Sequence, residues 1–308
     1  MDVKNDNQLI GFGVSIVNRY SRHFFLHAKD TILGIIWTLM HFKTSPLLNY
    51  RHKAHLFAEE AFKSGYRLFD TARIYGYSEY ELGKMLKKHN RGDVFVCTKV
   101  SDMDLSRPGG SRTVRGNLQN SLKDLGTDYV DLYLLHWPSG EWIEMYKQMN
   151  ELYKEGLAKN IGVCNFKIKD FEALAKVDGI IQPQFCQIEC HPLCMNKEVL
   201  EYCSQHNIVV LAHTPTGRMC QDIRNNKVLM DLSQKYGKSI PQILLRWHIQ
   251  SNRIPIIHSE NKEHIADNAN IFDFSLSSED IKSIDNLNKE QSFFNFVGID
   301  NPNYKYNK

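Results

Sequence analysis

The sequence lacks the features that mark membrane-spanning and secreted chains. Its longest strongly apolar stretch, 31–40 (TILGIIWTLM), is about half of what a membrane-spanning helix needs. The polar start, MDVKNDNQL, has neither the apolar core nor the small-residue cleavage site of a secretory signal. Seven cysteines are an odd number, which argues against a disulfide framework. We therefore expect a globular, cytoplasmic protein with free thiols and no membrane association.

Charge of one sign is also scarce. The 38 Lys and Arg residues nearly balance the 35 Asp and Glu residues, and no block of five like charges occurs. A nucleic-acid-binding face requires a cluster of basic residues. No nucleic-acid partner is therefore expected, and the sequence contains no signal for the oligomeric state.

What the sequence does contain is a regular alternation of short β-branched runs with amphipathic stretches, without a Ser/Gly/Pro-rich linker. Such alternation requires parallel strands joined by right-handed crossovers, and eight units close a barrel. We predict an α/β fold, a (β/α)8 TIM barrel forming a single domain over residues 1–308. The alternative, an open doubly wound sheet, would need a third glycine after Gly11-Phe12-Gly13. The predicted strands are 10–15, 66–71, 94–100, 130–137, 160–166, 183–189, 208–214 and 254–259.

Four polar residues close to the ends of these runs suggest proton transfer. They are Asp70, Tyr75, Lys99 and His136. In such barrels the chemistry lies at the carboxyl ends of the strands. A phenol is a weak acid at neutral pH, so a neighbouring ammonium held by a carboxylate would be needed to lower its pKa. Singly, Asp70 could be a helix N-cap, Lys99 a strand-end cation and His136 a barrel histidine.

Six motifs make the sequence resemble the aldo-keto reductase family. They are GYRLFDTARIYG, VFVCTKV, LGTDYVDLYLLHWP, EGLAKNIGVCNF, QIECHP and SIPQILLRW, in this order between Ala61 and about Asn288. The resemblance implies a barrel that binds an extended nicotinamide cofactor and reduces carbonyl groups without a metal. It also implies a catalytic tetrad of Asp70, Tyr75, Lys99 and His136, with Trp137 as an apolar wall for the substrate.

The resemblance also implies a set of cofactor-binding residues. Asn165 and Gln187 match positions that bind the nicotinamide carboxamide. The resemblance implies NADPH as the cofactor. His258 and His264 stand where the family commonly has the Lys and Arg that bind the 2′-phosphate, which weakens this phosphate site and makes NADH possible. His213 replaces a tyrosine that stacks on the nicotinamide. The full expected set is Cys164, Asn165, Gln187, His213, His258, Ser259, His264 and Asn268.

The region after the first strand departs from the family. Gly13-Val14-Ser15 replaces Gly-Thr-Trp, and Gly13 and Asp70 are 57 positions apart. A loop, a helix and a strand need only about 25 to 30 residues. A segment within about 18–50 is therefore surplus to the barrel. It could be a hydrophobic lid, an oligomer contact or translated non-coding sequence.

These observations predict an NADPH-dependent reductase of a small aldehyde or ketone, with Tyr75 as the general acid. The alternative is an impaired barrel of this family that acts as a redox-sensing or interaction subunit. Two metal sites are further alternatives with weaker support in the sequence. A zinc site in CQIECHPLC would lack a CxxC pair, and a metal hydrolase site would lack a His-x-His pair. The residues concerned are Cys186, Cys190, His191 and Cys194 for zinc, and Asp70, His136, His213 and His258 for the hydrolase.

Overall fold

A computed structural model describes residues 10–13, 53–106 and 110–294. Eight parallel strands follow one another in chain order around a closed barrel. The first strand pairs with both the second and the eighth, so that Phe12 lies opposite Phe69 on one side and Ile257 on the other. The predicted (β/α)8 barrel is confirmed, and closure of the sheet excludes the open doubly wound alternative.

The strands lie within the predicted runs, except that the eighth begins one residue earlier. Their residues are buried along almost their whole length, because a parallel sheet in a barrel is covered on both faces. The strands are β1 (Gly11–Gly13), β2 (Leu68–Asp70), β3 (Phe95–Val100), β4 (Leu132–Leu135), β5 (Ile161–Cys164), β6 (Phe185–Glu189), β7 (Val209–His213) and β8 (Arg253–Ile257).

The helices form an outer ring, and their ends follow local sequence signals. Thr113 caps the N-terminus of α4 by accepting from the Gly116 amide, and Gly126 ends this helix with a φ of 68°. The α-helices are α1 (Ala54–Lys63), α2 (Ser78–Leu86), α3 (Asp102–Ser106), α4 (Val114–Leu125), α5 (Trp142–Lys154), α6 (Ile168–Ala175), α7 (Lys197–Gln205), α8 (Gln221–Arg224), α9 (Lys227–Tyr236), α10 (Ile240–Gln250), α11 (Lys262–Ala269) and α12 (Ser278–Asp285). Short 3-10 turns cover Arg91–Asp93 and Gly217–Met219.

Three buried apolar clusters stabilise the described part of the chain, and two of them form the barrel wall and its interior. The larger lies between strands and helices, and the smaller fills the barrel interior with residues such as Leu68, Phe95 and Leu134. Gly162 in β5 permits close packing inside the barrel, because a Cβ there would lie 2.3 Å from the Phe185 carbonyl oxygen. The filled interior leaves the strand ends as the place where polar side chains can meet a ligand.

Two further sequence expectations are the surplus segment and the absence of a membrane-spanning helix. The surplus segment, about 18–50, lies outside the described residues, as do Val14 and Ser15. Among the helices of the described ranges, none is long and apolar enough to cross a membrane.

Candidate active site

The ends of β2 and β3 bring Asp70 and Lys99 into contact. Parallel pairing places Asp70 opposite Cys97, two residues before Lys99. The Lys99 ammonium is fully buried and lies 2.6 Å from the Asp70 Oδ2 atom. It also donates to the Thr71 carbonyl oxygen at 2.8 Å. These two contacts compensate for burying the charge, because a buried ammonium needs both a counter-charge and hydrogen-bond acceptors.

Tyr75 and His136 complete the predicted tetrad. Tyr75 lies in the turn between β2 and α2, and its hydroxyl oxygen is 3.3 Å from the His136 Nε2 atom at the end of β4. The Lys99 Nζ atom lies 5.2 Å from the centre of the Tyr75 ring. All four residues therefore meet at the carboxyl-terminal mouth of the barrel, as the sequence predicts for a barrel of this type.

Burial sets the charge states of this group. It raises the pKa of Tyr75 to about 12, and the opposing effect of the Lys99 ammonium is smaller. Burial has the largest single effect on the pKa of Lys99 and lowers it, but the charges of Asp70, Tyr75 and the two nearby cysteines together outweigh burial, and the net pKa is raised. Burial, helped by Lys99 and His213, lowers the pKa of His136 well below its usual range. At neutral pH the group therefore holds a protonated phenol, an ammonium and a neutral imidazole.

This result differs from the expected tuning of the phenol. The sequence argument had Lys99 and Asp70 bring the pKa of Tyr75 nearer to neutrality. In the structure Lys99 does lower this pKa and Asp70 raises it, but desolvation of the phenolate has the largest effect. The environment thus keeps the proton on Tyr75, where a proton donor needs it.

The two expected carboxamide-binding amides are both close to the tetrad. Gln187 donates to the Asp70 Oδ1 atom at 2.9 Å. Asn165 follows β5 with a φ of 60° and donates to the His136 carbonyl oxygen at 3.1 Å. Each amide therefore also supports a tetrad residue, a link that the sequence did not reveal.

His213 and Trp137 each contact a residue at the mouth. The His213 Nε2 atom lies 3.2 Å from the Asn165 Oδ1 atom, which can only accept, so His213 carries its proton on Nε2. Burial lowers the pKa of His213 to about 4. The Trp137 ring stacks on His136 with a centroid distance of 3.6 Å. Both rings thus offer apolar faces next to the polar group.

The remaining expected cofactor residues lie at different depths. Cys164 is 1% exposed and belongs to the layer that fills the barrel interior. His258 and Ser259 follow β8, where His258 is exposed and Ser259 is half-buried, whereas Asn268 in α11 is buried. His264 is exposed in the first turn of the same helix. The structure thus gathers most of the expected residues around the mouth and the β8–α11 connection.

The sequence reading missed the stretch 288–294, which packs against the mouth. The Glu189 carboxylate accepts from the Phe293 amide at 2.8 Å and from the Ser292 hydroxyl. The Phe294 ring meets His213 edge-on at a centroid distance of 5.4 Å. The adjacent aromatic pair Phe293-Phe294 was a visible signal, but nothing local connects it to β6 or β7.

The residues of the two metal hypotheses are engaged otherwise. His191 contacts the Glu189 Oε1 atom at 3.0 Å and accepts from the Leu193 amide. All seven cysteines are free thiols, and burial raises the pKa of both Cys190 and Cys194. Within the described ranges, no three His, Cys, Asp or Glu side chains are grouped so that they could hold a metal ion.

Comparison with known proteins places the chain in one family. The family model "Aldo/keto reductase family" matches residues 39–289. The chain is 38% identical over 236 residues to the methylglyoxal reductase DkgA of Escherichia coli O157:H7, covering 75% of this chain and 83% of that protein. It is equally 38% identical over 234 residues to a glyoxal reductase of Bacillus subtilis, covering 75% and 82%.

Solved structures show the same relationship. An aldo-keto reductase from a Medee basin deep-sea metagenome library is 35% identical, with a TM-score of 0.74, over 82% of this chain and 92% of that one. A Bombyx mori aldo-keto reductase in complex with NADP is 27% identical, also with a TM-score of 0.74, over 94% and 91%. The chain therefore belongs to the aldo/keto reductase family and is an oxidoreductase acting on aldehydes or ketones.

Proposed function

We propose that this chain reduces small aldehydes or ketones with a reduced nicotinamide cofactor and that Tyr75 is the general acid. The supporting observation is the pair formed by the Tyr75 hydroxyl and the His136 Nε2 atom, 3.3 Å apart and backed by the Lys99–Asp70 ion pair. A carbonyl oxygen placed between the two side chains could be held by His136 and protonated by Tyr75. No metal is needed for either role.

The amide groups at the mouth fit the nicotinamide end of such a cofactor. A carboxamide both donates and accepts hydrogen bonds, and so do the side chains of Asn165 and Gln187. His213, held by Asn165, presents a neutral ring for stacking. The bound cofactor would supply the hydride, and these three residues would determine the position of its ring. Cys164 would lie beneath Asn165 as a supporting residue.

The protein's own contribution is the handling of the proton. Tyr75 stays protonated at neutral pH, because its pKa is raised to about 12. After the proton has left Tyr75, the phenolate is stabilised by the nearby Lys99 ammonium, which is ion-paired with Asp70. The attraction between Lys99 and the Tyr75 oxygen is stronger after proton transfer than before it. This difference lowers the activation free energy of the reduction.

His136 and Trp137 would orient the substrate. Because His136 is neutral, it can donate a hydrogen bond to the carbonyl oxygen without competing for the proton of Tyr75. The stacked Trp137 ring limits the freedom of His136 and adds an apolar surface beside it. This apolar surface of Trp137 favours compact carbonyl compounds. The relatives named methylglyoxal and glyoxal reductases make 2-oxoaldehydes the first compounds to examine.

The test is a panel of carbonyl substrates, including methylglyoxal and glyoxal, assayed with NADPH and with NADH. NADPH is the cofactor that the family resemblance implies, and NADH is the alternative. We expect reduction by the native chain and a large loss in Tyr75→Phe. If neither reduced cofactor quenches the tryptophan fluorescence, the chain is instead an impaired barrel with a sensing or interaction role.

A further inference from the structure

A catalytic side chain on a loop depends on contacts that hold the loop, because loops are more mobile than the strands they follow. Tyr75 lies on such a loop, which joins β2 to α2 over residues 71–79 and is called here the Tyr75 loop. Resting on the function proposed above, we propose that Arg73 is a positioning residue, whose ion pair with Glu79 fixes the Tyr75 phenol for proton transfer. Arg73 acts through the loop, since its side chain contacts α2 and α4.

The first half of the Tyr75 loop continues the pairing between β2 and β3. The Thr71 amide donates to the Cys97 carbonyl oxygen at 2.8 Å, and the Arg73 amide donates to the Lys99 carbonyl oxygen at 3.1 Å. The backbone of Arg73 is therefore joined to the residue that carries the buried ammonium. Tyr75 follows Arg73 by only two residues, so the start of the loop is already fixed beside Lys99.

The side chain of Arg73 closes the second half of the loop. Its Nη1 atom lies 2.5 Å from the Oε2 atom of Glu79, which belongs to the first turn of α2. Arg73 and Glu79 stand on either side of Tyr75 in the chain, so their ion pair spans the phenol. The other carboxylate oxygen of Glu79 accepts from the Thr98 hydroxyl at 2.7 Å. Because Thr98 precedes Lys99 in β3, one carboxylate ties the loop to the strand that carries the ammonium.

Burial strengthens this ion pair. The side chain of Glu79 is 1% exposed and that of Arg73 is 21% exposed, so water and salt screen the pair less than they screen a surface pair. The Arg73 Nη1 atom also lies 2.5 Å from the Oδ2 atom of Asp124 in α4. Gly83 in α2 allows the two helices to approach, because a Cβ there would lie 2.4 Å from the Asp124 carbonyl oxygen. The guanidinium is thus held by charged hydrogen bonds from two helices.

A small displacement of the phenol is enough to slow the reaction. A proton donor must lie within hydrogen-bond reach of the carbonyl oxygen. Misplacement of a reacting group by about 1 Å lowers a rate by about 100-fold. The hydroxyls of Thr71 and Ser78, 2.5 Å apart, also link the two ends of the loop. Loss of the Arg73 guanidinium should therefore shift Tyr75 without unfolding the loop.

The test separates a misplaced phenol from a smaller number of folded molecules. Titration with the reduced cofactor, followed by tryptophan fluorescence, counts the binding sites per chain. A single-turnover experiment then measures the rate constant of reduction at each site, with the cofactor and carbonyl compound of the panel above that give the fastest native rate. A misplaced phenol lowers the rate constant, whereas partial unfolding lowers the number of sites.

Three variants and a control locate the effect. In Arg73→Met we expect the rate constant to fall by about 10- to 100-fold, with a native number of sites. Arg73→Met/Glu79→Gln leaves no unpaired carboxylate in the loop and should show the same loss with native-like melting. Arg73→Lys keeps a cation for Glu79 and should recover most of the rate. Arg115→Met removes an arginine from an exposed ion pair with Glu155 and should leave the rate constant unchanged.

The outcomes separate this proposal from the proposed function. A native chain that reduces no carbonyl compound would contradict the proposed function, and the role of Arg73 would fall with it. Native turnover together with a native rate constant in Arg73→Met or in the double variant would overturn the positioning role alone. Fewer sites with a native rate constant at each would also overturn it, because Arg73 would then only stabilise the fold. An Arg73→Lys variant as slow as Arg73→Met would show that the ion pair is not what fixes Tyr75.

Discussion

At the scale of single residues, burial decides the chemistry of the site more than the pairwise charges do. Lys99 and His136 are nearly inaccessible, and Tyr75 lies against both. Desolvation penalises every charged form, so the one charge that persists is the one with a partner, Lys99 with Asp70. The result is a site that holds a proton on Tyr75 at neutral pH and is therefore suited to reduction.

Removal of the Tyr75 hydroxyl should abolish proton donation and little else. In Tyr75→Phe we expect carbonyl reduction to fall by about 100-fold or more, the usual scale of general acid catalysis. The dissociation constant for the reduced cofactor should stay within a factor of a few, which fluorescence quenching measures. A wild-type rate on any substrate that the native chain reduces would show that Tyr75 is not the acid.

Loss of the Lys99 charge should be comparably damaging. Lys99 lowers the pKa of Tyr75, so Lys99→Met should raise that pKa further and destabilise the phenolate formed during reduction. The substitution also leaves Asp70 buried without its cation, at a cost of about 3–5 kcal/mol in stability. The double variant Lys99→Met/Asp70→Asn restores neutrality. If it folds like the native chain yet reduces carbonyls at the native rate, the role given to Lys99 is wrong.

The cofactor preference should depend on pH through His258. Among the described residues, its ring is faced by the Glu260 carboxylate, the Gly13 carbonyl oxygen and the Phe12 ring. Because burial lowers the pKa of His258, the ring gains its second proton only at a pH below the usual range of a histidine. Protonated Nε2 becomes a donor, so NADPH binding should improve relative to NADH as pH falls from about 8 to about 5. If the ratio of the NADPH and NADH dissociation constants stays the same over this pH range, His258 does not contact the 2′ position of the cofactor.

At the scale of secondary-structure elements, the stretch 288–294 is attached to the mouth by hydrogen bonds to two segments. The Lys289 and Gln291 amides both donate to the Leu193 carbonyl oxygen, and Glu189 accepts from Ser292 and Phe293. The Arg218 guanidinium lies over the Phe294 ring, with its carbon 4.4 Å from the ring centre. Glu189 thus anchors a stretch whose last ring packs on His213.

We expect Glu189→Gln to loosen this stretch. Charged hydrogen bonds contribute about 1.5–3 kcal/mol each, and the substitution weakens those to Ser292 and Phe293. Hydrogen exchange should therefore become faster at the Phe293 and Phe294 amides. Glu201→Gln, on an exposed position of α7, is the matched control. Unchanged exchange in Glu189→Gln would show that the Leu193 contacts hold the stretch without Glu189.

At the scale of the whole molecule, closure of the barrel is achieved by the described residues. β1 pairs with β2 and β8, and it ends at Gly13, before the surplus segment. Because the barrel interior is already filled, any additional element can pack only outside it or across its mouth.

Deletion of residues 19–48 should accordingly leave a barrel that melts cooperatively near the native temperature. A lid or an oligomer contact in this segment would show as a changed substrate range or a changed elution volume. Circular dichroism melting and size-exclusion chromatography of the deletion beside the full chain measure both. Loss of cooperative folding would place the segment within the barrel and contradict the assignment of the first strand.

The sequence by itself determined the barrel and predicted which four side chains meet at its mouth. Alternating apolar runs give the order of strands and helices, because side-chain periodicity is a local property of the chain. Asp70, Lys99 and His136 follow from their positions near strand ends, which meet at one face in any parallel barrel. Tyr75 follows from its place in the FDTARIYG motif.

The tertiary structure alone decided the protonation and the donor pattern of the site. The proton on His258 depends on the Gly13 carbonyl oxygen, 245 residues away. The aromatic contact on His213 comes from Phe294, and the stretch that carries Phe294 is held by hydrogen bonds to Glu189. Such contacts join segments that are distant in the chain, so no local pattern encodes them. Hydrogen-bond direction and desolvation are properties of the packed neighbourhood, and they appear only once the barrel has closed.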